Sequence, residues 1–442
     1  MSSTTTAIIL AAGMGTRMKS RYPKAMQRLG NRPMIGHLLE TAQHSVDQII
    51  VVVGPGMEEL THYVQPHQTV IQTERLGTGH AAKIGVSSLT EGKAVILYAD
   101  NPLLTEDTMQ RLLEAHTHDN KLSLLGMRPH NPGHYGRIIV DQKGMVERIV
   151  EYKDATEAEK QTTLCNAGMM CADVNDLKRW LAEITPNNAQ NEYYLTDIVA
   201  FAAREGHVTC VEGGEEELAG INSRAELAQA EARLQDRLRI HAMEQGVTLI
   251  DPASTFLSTD TKLATDVTIE PHVFIGPGVT LEEGCLIRAF SHLEGCHVKT
   301  NAVIGPYARL RPGTLCHEET HVGNFVELKN TTLGAGSKVN HLSYLGDSEV
   351  GTRSNIGAGS ISCNYDGVFK HKTMIGDDCF IGSNSVMVAP VKIENEAMTA
   401  AGSIITHDVP AGALAFGRAR QANKLEQGRA LQAALKKKKE RG

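Results

Sequence analysis

The chain has 442 residues, a formal net charge of −7, 41% hydrophobic residues and only 4% aromatic ones. The length allows two or three domains with separate cores, the negative balance disfavours a nucleic-acid partner, and the scarcity of rings suits a repeat built from aliphatic ladders. Eight cysteines without a CxxC pair, a start of Met1-Ser-Ser-Thr-Thr-Thr and apolar runs as short as 49–53 and 94–98 predict a reduced, cytoplasmic protein without a membrane segment.

Residues 7–10 read as a short buried strand that runs into Gly13-Met14-Gly15-Thr16-Arg17 and then Pro23-Lys24. A strand opening into a glycine-rich loop is a phosphate cradle, its backbone N–H groups free to wrap a triphosphate while Arg17 and Lys24 supply positive charge. No Gly-Lys-Ser/Thr follows, and the third glycine of the dinucleotide fingerprint is missing, so P-loop and NAD chemistry are disfavoured. Strands at 49–53, 94–98 and 122–126 alternate with helical stretches such as 106–116, the pattern of a doubly wound α/β domain with ligands at the carboxyl ends of its strands. Asp100 stands at such an end. Its carboxylate suits a hard cation such as Mg²⁺, with a turn-forming aspartate as the plainer reading. Gln72 and Leu76-Gly-Thr-Gly79 form a second small-residue loop, fit either for a base edge or for a plain helix start.

Residues 223–245 predict a linker helix, with Ser223 as N-cap, Glu226 closing a capping box, Leu227, Leu234 and Leu238 on one face, and Gly246 as the stop. From 267 to 405 a branched apolar residue followed by a small or polar one returns about every sixth position, at Ile269, Ile275, Leu281, Ile287, Leu293, Ile304, Val322, Leu345, Ile356, Ile375 and Ile381. This is the beat of a hexapeptide-repeat parallel β-helix, a triangular prism with one short strand per face and small residues at the corners. The beat slips by one residue near Leu333 and Val350, which bulges would absorb, and breaks between Ser362 and Thr373, an inserted loop. The expected domains are 1–222, a linker over 223–246, a β-helix over 247–420 and a solvated, frayed Lys-rich tail over 421–442.

These motifs together resemble the bacterial bifunctional N-acetylglucosamine-1-phosphate uridylyltransferase and glucosamine-1-phosphate acetyltransferase family over nearly the whole chain. The resemblance implies a Rossmann-like nucleotidyltransferase domain followed by a left-handed β-helix acetyltransferase, with UTP, acetyl-CoA and Mg²⁺ as reaction partners. It also implies a homotrimer with the acetyl site between neighbouring prisms. By the same resemblance, Leu10, Ala11, Ala12, Gly13, Lys24, Gln72, Gly77 and Thr78 hold the nucleotide, and Gly136, Glu151, Asn166 and Asn222 hold the sugar. Asp100 and Asn222 hold the metal, and Arg17 acts on the leaving phosphates. In the second half Arg311, Lys329, Tyr344, Asn355 and Lys370 match the sugar-phosphate contacts. Ala358, Asn364, Tyr365, Ser383, Ala401 and Arg418 match the acetyl-CoA contacts. His341 is the proposed catalytic base, since histidine is the side chain suited by type to proton transfer near neutral pH. Ala99, Met14 and Gln27 depart from the family pattern, and none of them removes a charge that the chemistry needs.

Two other readings compete. One is a sugar-1-phosphate nucleotidylyltransferase of different specificity with a purely structural β-helix, and the other is a scaffold that has lost both activities. A spacer has no use for His341 and the Asn364-Tyr365-Asp366-Gly367 loop, and a dead scaffold has no use for Arg17, Lys24, Asp100 and Asn222.

Overall fold

A computed structural model describes residues 4–117 and 119–441; the outermost limits of the expected domains, residues 1 and 442, lie outside the described residues. The chain divides into two compact units, Met1–Leu238 and Arg239–Gly442.

The first unit is built on a sheet in the order His207–Glu212, Asn120–Met127, Cys165–Asp173, Lys93–Tyr98, Thr5–Leu10, Gln48–Val53, Gln68–Ile71. Period-two alternation sorts its side chains to two faces: Ala7 and Ile9 join one buried cluster with Ile35, Leu38, Met109 and Leu112, whereas Ile8 joins the other with Ala82, Val86, Leu177 and Trp180. Helices therefore cover both faces, as the alternating pattern predicts. Cys165–Asp173 runs antiparallel to both of its neighbours, so the sheet is mixed. That strand was not read from sequence. Its register breaks between Asn166 and Met170, around Gly168 at φ 88°, and a Cβ on Gly168 would come 2.4 Å from the Tyr98 ring. The predicted helix over 106–116 is Glu106–Ala115, with Thr105 capping it by accepting from the Thr108 N–H.

The linker helix spans Arg224–Glu244. Its apolar face is as predicted: Ala230 and Leu234 are buried with Met18, Leu29, Met34 and Leu103, and Leu227 and Leu238 pack beside them. Most of this helix is thus core of the first unit rather than a free connector, and the unit's limit falls at Leu238, not near 222. Ser223 Oγ accepts from the Glu226 N–H at 3.2 Å, but the Glu226 carboxylate reaches the Asn222 N–H at 2.6 Å, one residue before the expected cap.

In the second unit the strands form three parallel ladders. The first face carries Thr268–Ile269, Leu286–Ile287, Val303–Ile304, His321–Asn324, Lys338–His341 and Asn355–Ile356; the second carries His292–Leu293, Arg309–Leu310, Glu327–Lys329, Tyr344–Gly346 and Ile361–Cys363; the third carries Thr280–Leu281, Cys296–Val298, Thr332–Leu333, Ser348–Val350 and Thr373–Ile375. Every residue of the predicted beat is buried, and each enclosed aliphatic chain contributes about 1.5–3 kcal/mol. Ile287 pairs with Ile304 and Ile304 with Val322, so a coil takes 17 or 18 residues. The slips at Leu333 and Val350, and a third at Val298, fall at corners rather than in bulges: Gly295, Asn330 and Asp347 turn there with φ of 50°, 47° and 49°, and ladder register on both sides is unbroken. Corner residues need not be small. Phe290, Tyr307, Phe325 and Leu342 take left-handed φ of 61°, 57°, 59° and 51°, and the three rings stack with centroids 4.9 and 5.2 Å apart. The inserted loop occupies 364–372, after which Thr373 pairs with Ser348 and the prism resumes. Gln427–Lys439 is an exposed helix, not the frayed tail expected.

Candidate active sites

In the first unit the carboxyl ends of Thr5–Leu10, Gln68–Ile71 and Lys93–Tyr98 open on a cleft of about 330 Å³ lined by Leu10, Ala11, Ala12, Gly13, Lys24, Gln72, Gly77 and Thr78, with Arg75, Tyr98, Ala99, Asp100 and Glu192. All eight predicted nucleotide residues meet there. A Cβ on Gly13 would meet nothing within 4 Å, so the backbone lies open to a ligand. Gly77 caps the Thr78–Ser87 helix at φ 113°, where a Cβ would come 2.6 Å from the Tyr193 carbonyl oxygen. Gln72 donates to the Gly77 carbonyl at 3.2 Å, and Arg75 donates to the Ala12 carbonyl at 3.0 Å, fastening the two loops. Gln27, one of the departures from the family pattern, ties the intervening loop by donating to Ser20 Oγ at 3.1 Å.

A second cleft of about 310 Å³ adjoins it and shares Thr78, Tyr98, Asp100 and Glu192. It gathers Gly136, Glu151, Asn166 and Asn222, the predicted sugar residues, and also Arg17. Burial pushes the Glu151 carboxyl above its usual range, opposed by Thr196, whose hydroxyl donates to it at 3.0 Å. Asn166 Oδ1 accepts from the Gly168 N–H at 3.0 Å across the irregular strand.

Between the clefts Lys24 Nζ donates to Asp100 Oδ2 and, at 2.6 Å, to Asn222 Oδ1, while Arg17 donates to the same Asn222 oxygen at 2.8 Å. The Ile221 N–H donates to the Asp100 carbonyl at 2.9 Å, which brings residues so distant in sequence together. Both oxygens are thus turned on one cation position, which fits the donor set to a hard divalent ion. With a single carboxylate, such an ion would complete its shell from water and substrate phosphates, as Mg²⁺ does.

In the second unit His341 ends a first-face strand at the corner leading to the second face. Its Nδ1 donates to Asn324 Oδ1 at 2.7 Å, one coil below, which leaves the Nε2 lone pair free. Above it the corner carries Ala358, Ser383, Ala401 and Arg418 in turn. The Gly359 N–H donates to the His341 carbonyl, that of Asn384 to Ala358, and that of Gly402 to Ser383, at 3.2, 2.7 and 2.8 Å; an added Cβ on Gly402 would lie 3.7 Å from Arg418 Cδ. At the far end of the second face Arg311 and Lys329 lie on adjacent coils. Lys370, from the inserted loop, holds the Lys329 ammonium below its usual range by charge repulsion. Tyr344 stands between these edges, and Asn364 donates to Asp347 at 2.5 Å. Burial would raise the Asp347 carboxyl, but the Asn330 and Asn364 amides and Lys370 hold it below its usual range.

Two predicted groupings divide. Asn364 and Tyr365 stand with the sugar-phosphate residues instead of along the corner, and Asn355 lies on the first face, apart from Arg311 and Lys329. Sequence reasoning passed over Asn324, Glu327, which accepts from Arg311 at 2.8 Å, and Asp347. Coil register is the signal that finds them, since Asn324 pairs with His341 and Glu327 with Tyr344.

The fold and these clefts define a sugar nucleotidyltransferase joined to a hexapeptide-repeat acyltransferase. A family profile described as MobA-like NTP transferase domain matches residues 7–167, and one described as hexapeptide repeat of succinyl-transferase matches 372–407. The chain is 61% identical over 438 residues to the bifunctional protein GlmU of Gluconobacter oxydans, covering 99% of this chain and 98% of that one. It is 56% identical to that of Gluconacetobacter diazotrophicus, covering 99% and 96%, and 50% identical to that of Paramagnetospirillum magneticum, covering 99% and 100%. The chain belongs to the bifunctional GlmU family, and it is both a uridylyltransferase and an acetyltransferase.

Proposed function

We propose that the two clefts of the first unit and the cornered second face of the prism carry two consecutive steps of UDP-N-acetylglucosamine synthesis. Acetyl-CoA first acetylates glucosamine 1-phosphate, and UTP then gives UMP to N-acetylglucosamine 1-phosphate with release of pyrophosphate. The observation that carries this reading is the position of His341 at the foot of the ladder Ala358, Ser383, Ala401, Arg418. Four strand spacings of about 4.8 Å give about 19 Å, room for an extended pantetheine arm whose thioester ends at the imidazole.

The sugar then lies across the second face. Arg311, Lys329 and Lys370 grip its phosphate, Tyr344 backs the ring, and His341 Nε2 takes the proton of the 2-ammonium. The freed amine attacks the thioester carbonyl, the C–S bond breaks as the imidazolium returns its proton to the sulfur, and coenzyme A leaves as the thiol while the new amide nitrogen gives up its second proton to solvent. Asn355 lies on the first face, apart from Arg311 and Lys329, a placement that a homotrimer with sites between neighbouring prisms would use.

In the first unit the uracil edge rests on Gln72, Gly77 and Thr78, and the sugar on Gly136, Glu151 and Asn166. Asp100 and Asn222 would hold Mg²⁺, which would supply charge neutralisation to the reacting phosphates. Lys24 and Arg17 add the same from the protein side, and the sugar phosphate oxygen attacks the α-phosphorus in line. Among the described residues no helix is long and apolar enough to cross a membrane, and the proposed substrates are those of a cytoplasmic enzyme without a nucleic-acid or membrane partner.

The test is a paired assay on the purified chain: pyrophosphate release from UTP with N-acetylglucosamine 1-phosphate, beside thiol release from acetyl-CoA with glucosamine 1-phosphate. Both are expected. Pyrophosphate release without thiol release would leave a nucleotidylyltransferase with a structural β-helix.

A further inference from the structure

In the first site a cation of the protein's own already bridges the two oxygens assigned to the metal. Lys24 Nζ donates to Asp100 Oδ2 and to Asn222 Oδ1 at 2.6 Å, and the side chains of Lys24 and Asp100 are only 15% and 21% exposed. Arg17 adds a second positive group on the same amide oxygen at 2.8 Å. Local backbone aims the lysine. Gly15 turns at φ 68°, and a Cβ there would press on Lys24 Cβ at 2.7 Å, so the glycine makes room for the stem. Lys24 itself begins the short turn Lys24–Met26, fixed behind Pro23.

We propose that Lys24 is an internal counter-cation that keeps divalent metal out of this site until a nucleotide arrives. The inference rests on the reading of Asp100 and Asn222 as the metal pair. A bare divalent ion approaching the site meets two resident positive charges and one negative, and it must displace an ammonium already bonded to both of its ligands. A nucleoside triphosphate reverses the balance. Its phosphates offer Lys24 and Arg17 better partners, the two side chains swing onto them, and the Asp100 and Asn222 oxygens are released to the metal that the nucleotide carries. Metal and nucleotide then bind with positive coupling, and each strengthens the other by the same factor. The lysine thus has two positions with two purposes: on the carboxylate it neutralises the resting site, and on the phosphates it neutralises the reacting one.

The experiment titrates Mn²⁺ alone into the full-length protein and reads the free ion by electron paramagnetic resonance. Wild type, Lys24→Met, Lys24→Gln and the double variant Lys24→Met/Asp100→Asn are compared, with circular dichroism and acetyl transfer as controls for folding. Each Lys24 single variant is expected to bind Mn²⁺ about tenfold more tightly than wild type or better, as loss of one adjacent like charge allows, and the double variant is expected to lose that gain. Folded Lys24→Met and Lys24→Gln proteins that bind Mn²⁺ no better than wild type overturn the counter-cation. The metal pair itself survives that result if Asp100→Asn still abolishes the metal dependence of UTP binding in otherwise wild-type protein. A gain that persists in the double variant overturns both, because the ion is then held elsewhere.

Discussion

The Glu226 carboxylate accepts from the Asn222 backbone N–H at 2.6 Å and so fixes the residue that offers its side-chain oxygen to Lys24 and Arg17. A helix start and a proposed metal ligand are one piece of structure. Glu226→Ala is expected to raise the Mg²⁺ concentration needed for half-maximal uridylyl transfer by about 10–100-fold, the usual cost of losing a group that orients a ligand. Glu226→Gln, which still offers an oxygen, should recover part of the loss. Acetyl transfer, measured on the same preparations, should not change; equal loss of both activities would indicate unfolding instead.

His341→Ala should lower acetyl transfer by about 10²–10⁴ and leave uridylyl transfer intact, since it removes the base but not the phosphate grip. The Michaelis constants for acetyl-CoA and sugar phosphate should move little. Asn324→Ala should cost less, because it frees the tautomer without removing the imidazole. Retention of more than about half of the acetyl-transfer rate in His341→Ala would exclude it as the base.

The Lys329 ammonium is held below its ordinary value of 10.5 by Lys370. As pH rises through that lowered value the charge is lost, so the phosphate grip should fail on the alkaline side earlier than an ordinary lysine would. The measurement is inhibition of acetyl transfer by N-acetylglucosamine 1-phosphate, which has no titrating amine. In Lys370→Met the alkaline limb should move to higher pH even though binding at neutral pH weakens. An unmoved limb would assign it to another group.

His116 is 3% exposed, its Nδ1 has no hydrogen-bond partner among the described residues, and Asp173 lies 3.8 Å from its Nε2. Burial lowers its protonation range below 6.5, against the pull of Asp173 and with some help from Lys93. The unfolded chain therefore binds the proton more readily than the folded one. Stability from this group is complete above pH 6.5 and declines as pH falls from there toward the lowered folded value. Thermal unfolding of the wild type followed from pH 7 to 5 should show that decline, and His116→Leu should flatten it.

A fragment ending at Gln229 lacks Ala230, Leu234 and Leu238, which pack on Met18, Leu29 and Leu103. It should be less stable than a fragment ending just past Leu238 by on the order of 3 kcal/mol, the value of one or two buried leucines. Denaturant unfolding of the two fragments measures the difference. The longer fragment should catalyse uridylyl transfer and not acetyl transfer.

The prism was legible because its period is written into every hexad, and the phosphate loop because its glycines and cations are adjacent in sequence. What stayed hidden depends on distance along the chain. The contact of Lys24 with Asn222 spans 198 residues, and nothing in the His341 segment announces Asn324 until the 17-residue step between them is known. The antiparallel Cys165–Asp173 strand was missed for another reason: it is buried along nearly its whole length, so no apolar–polar alternation marks it, and Gly168 at φ 88° breaks its middle. The corner residues went the other way, where a plausible expectation of small side chains gave way to left-handed Phe290, Tyr307 and Phe325, their rings stacked in recompense.

The coil length has a further consequence for how this half of the protein tolerates change. A solenoid of three faces has a reading frame of its own. Removing six residues from the region before His321 would advance everything downstream by one face relative to the chain that precedes it, yet the downstream coils would keep their mutual stacking. Removing the 17 residues from His321 to Ser337 would instead preserve the phase of every face while deleting one whole coil, Asn324 with it. The prism can shorten by whole turns and remain a prism, but the ladder from His341 to Arg418 is a ruler, and only insertions outside its span leave its length unchanged.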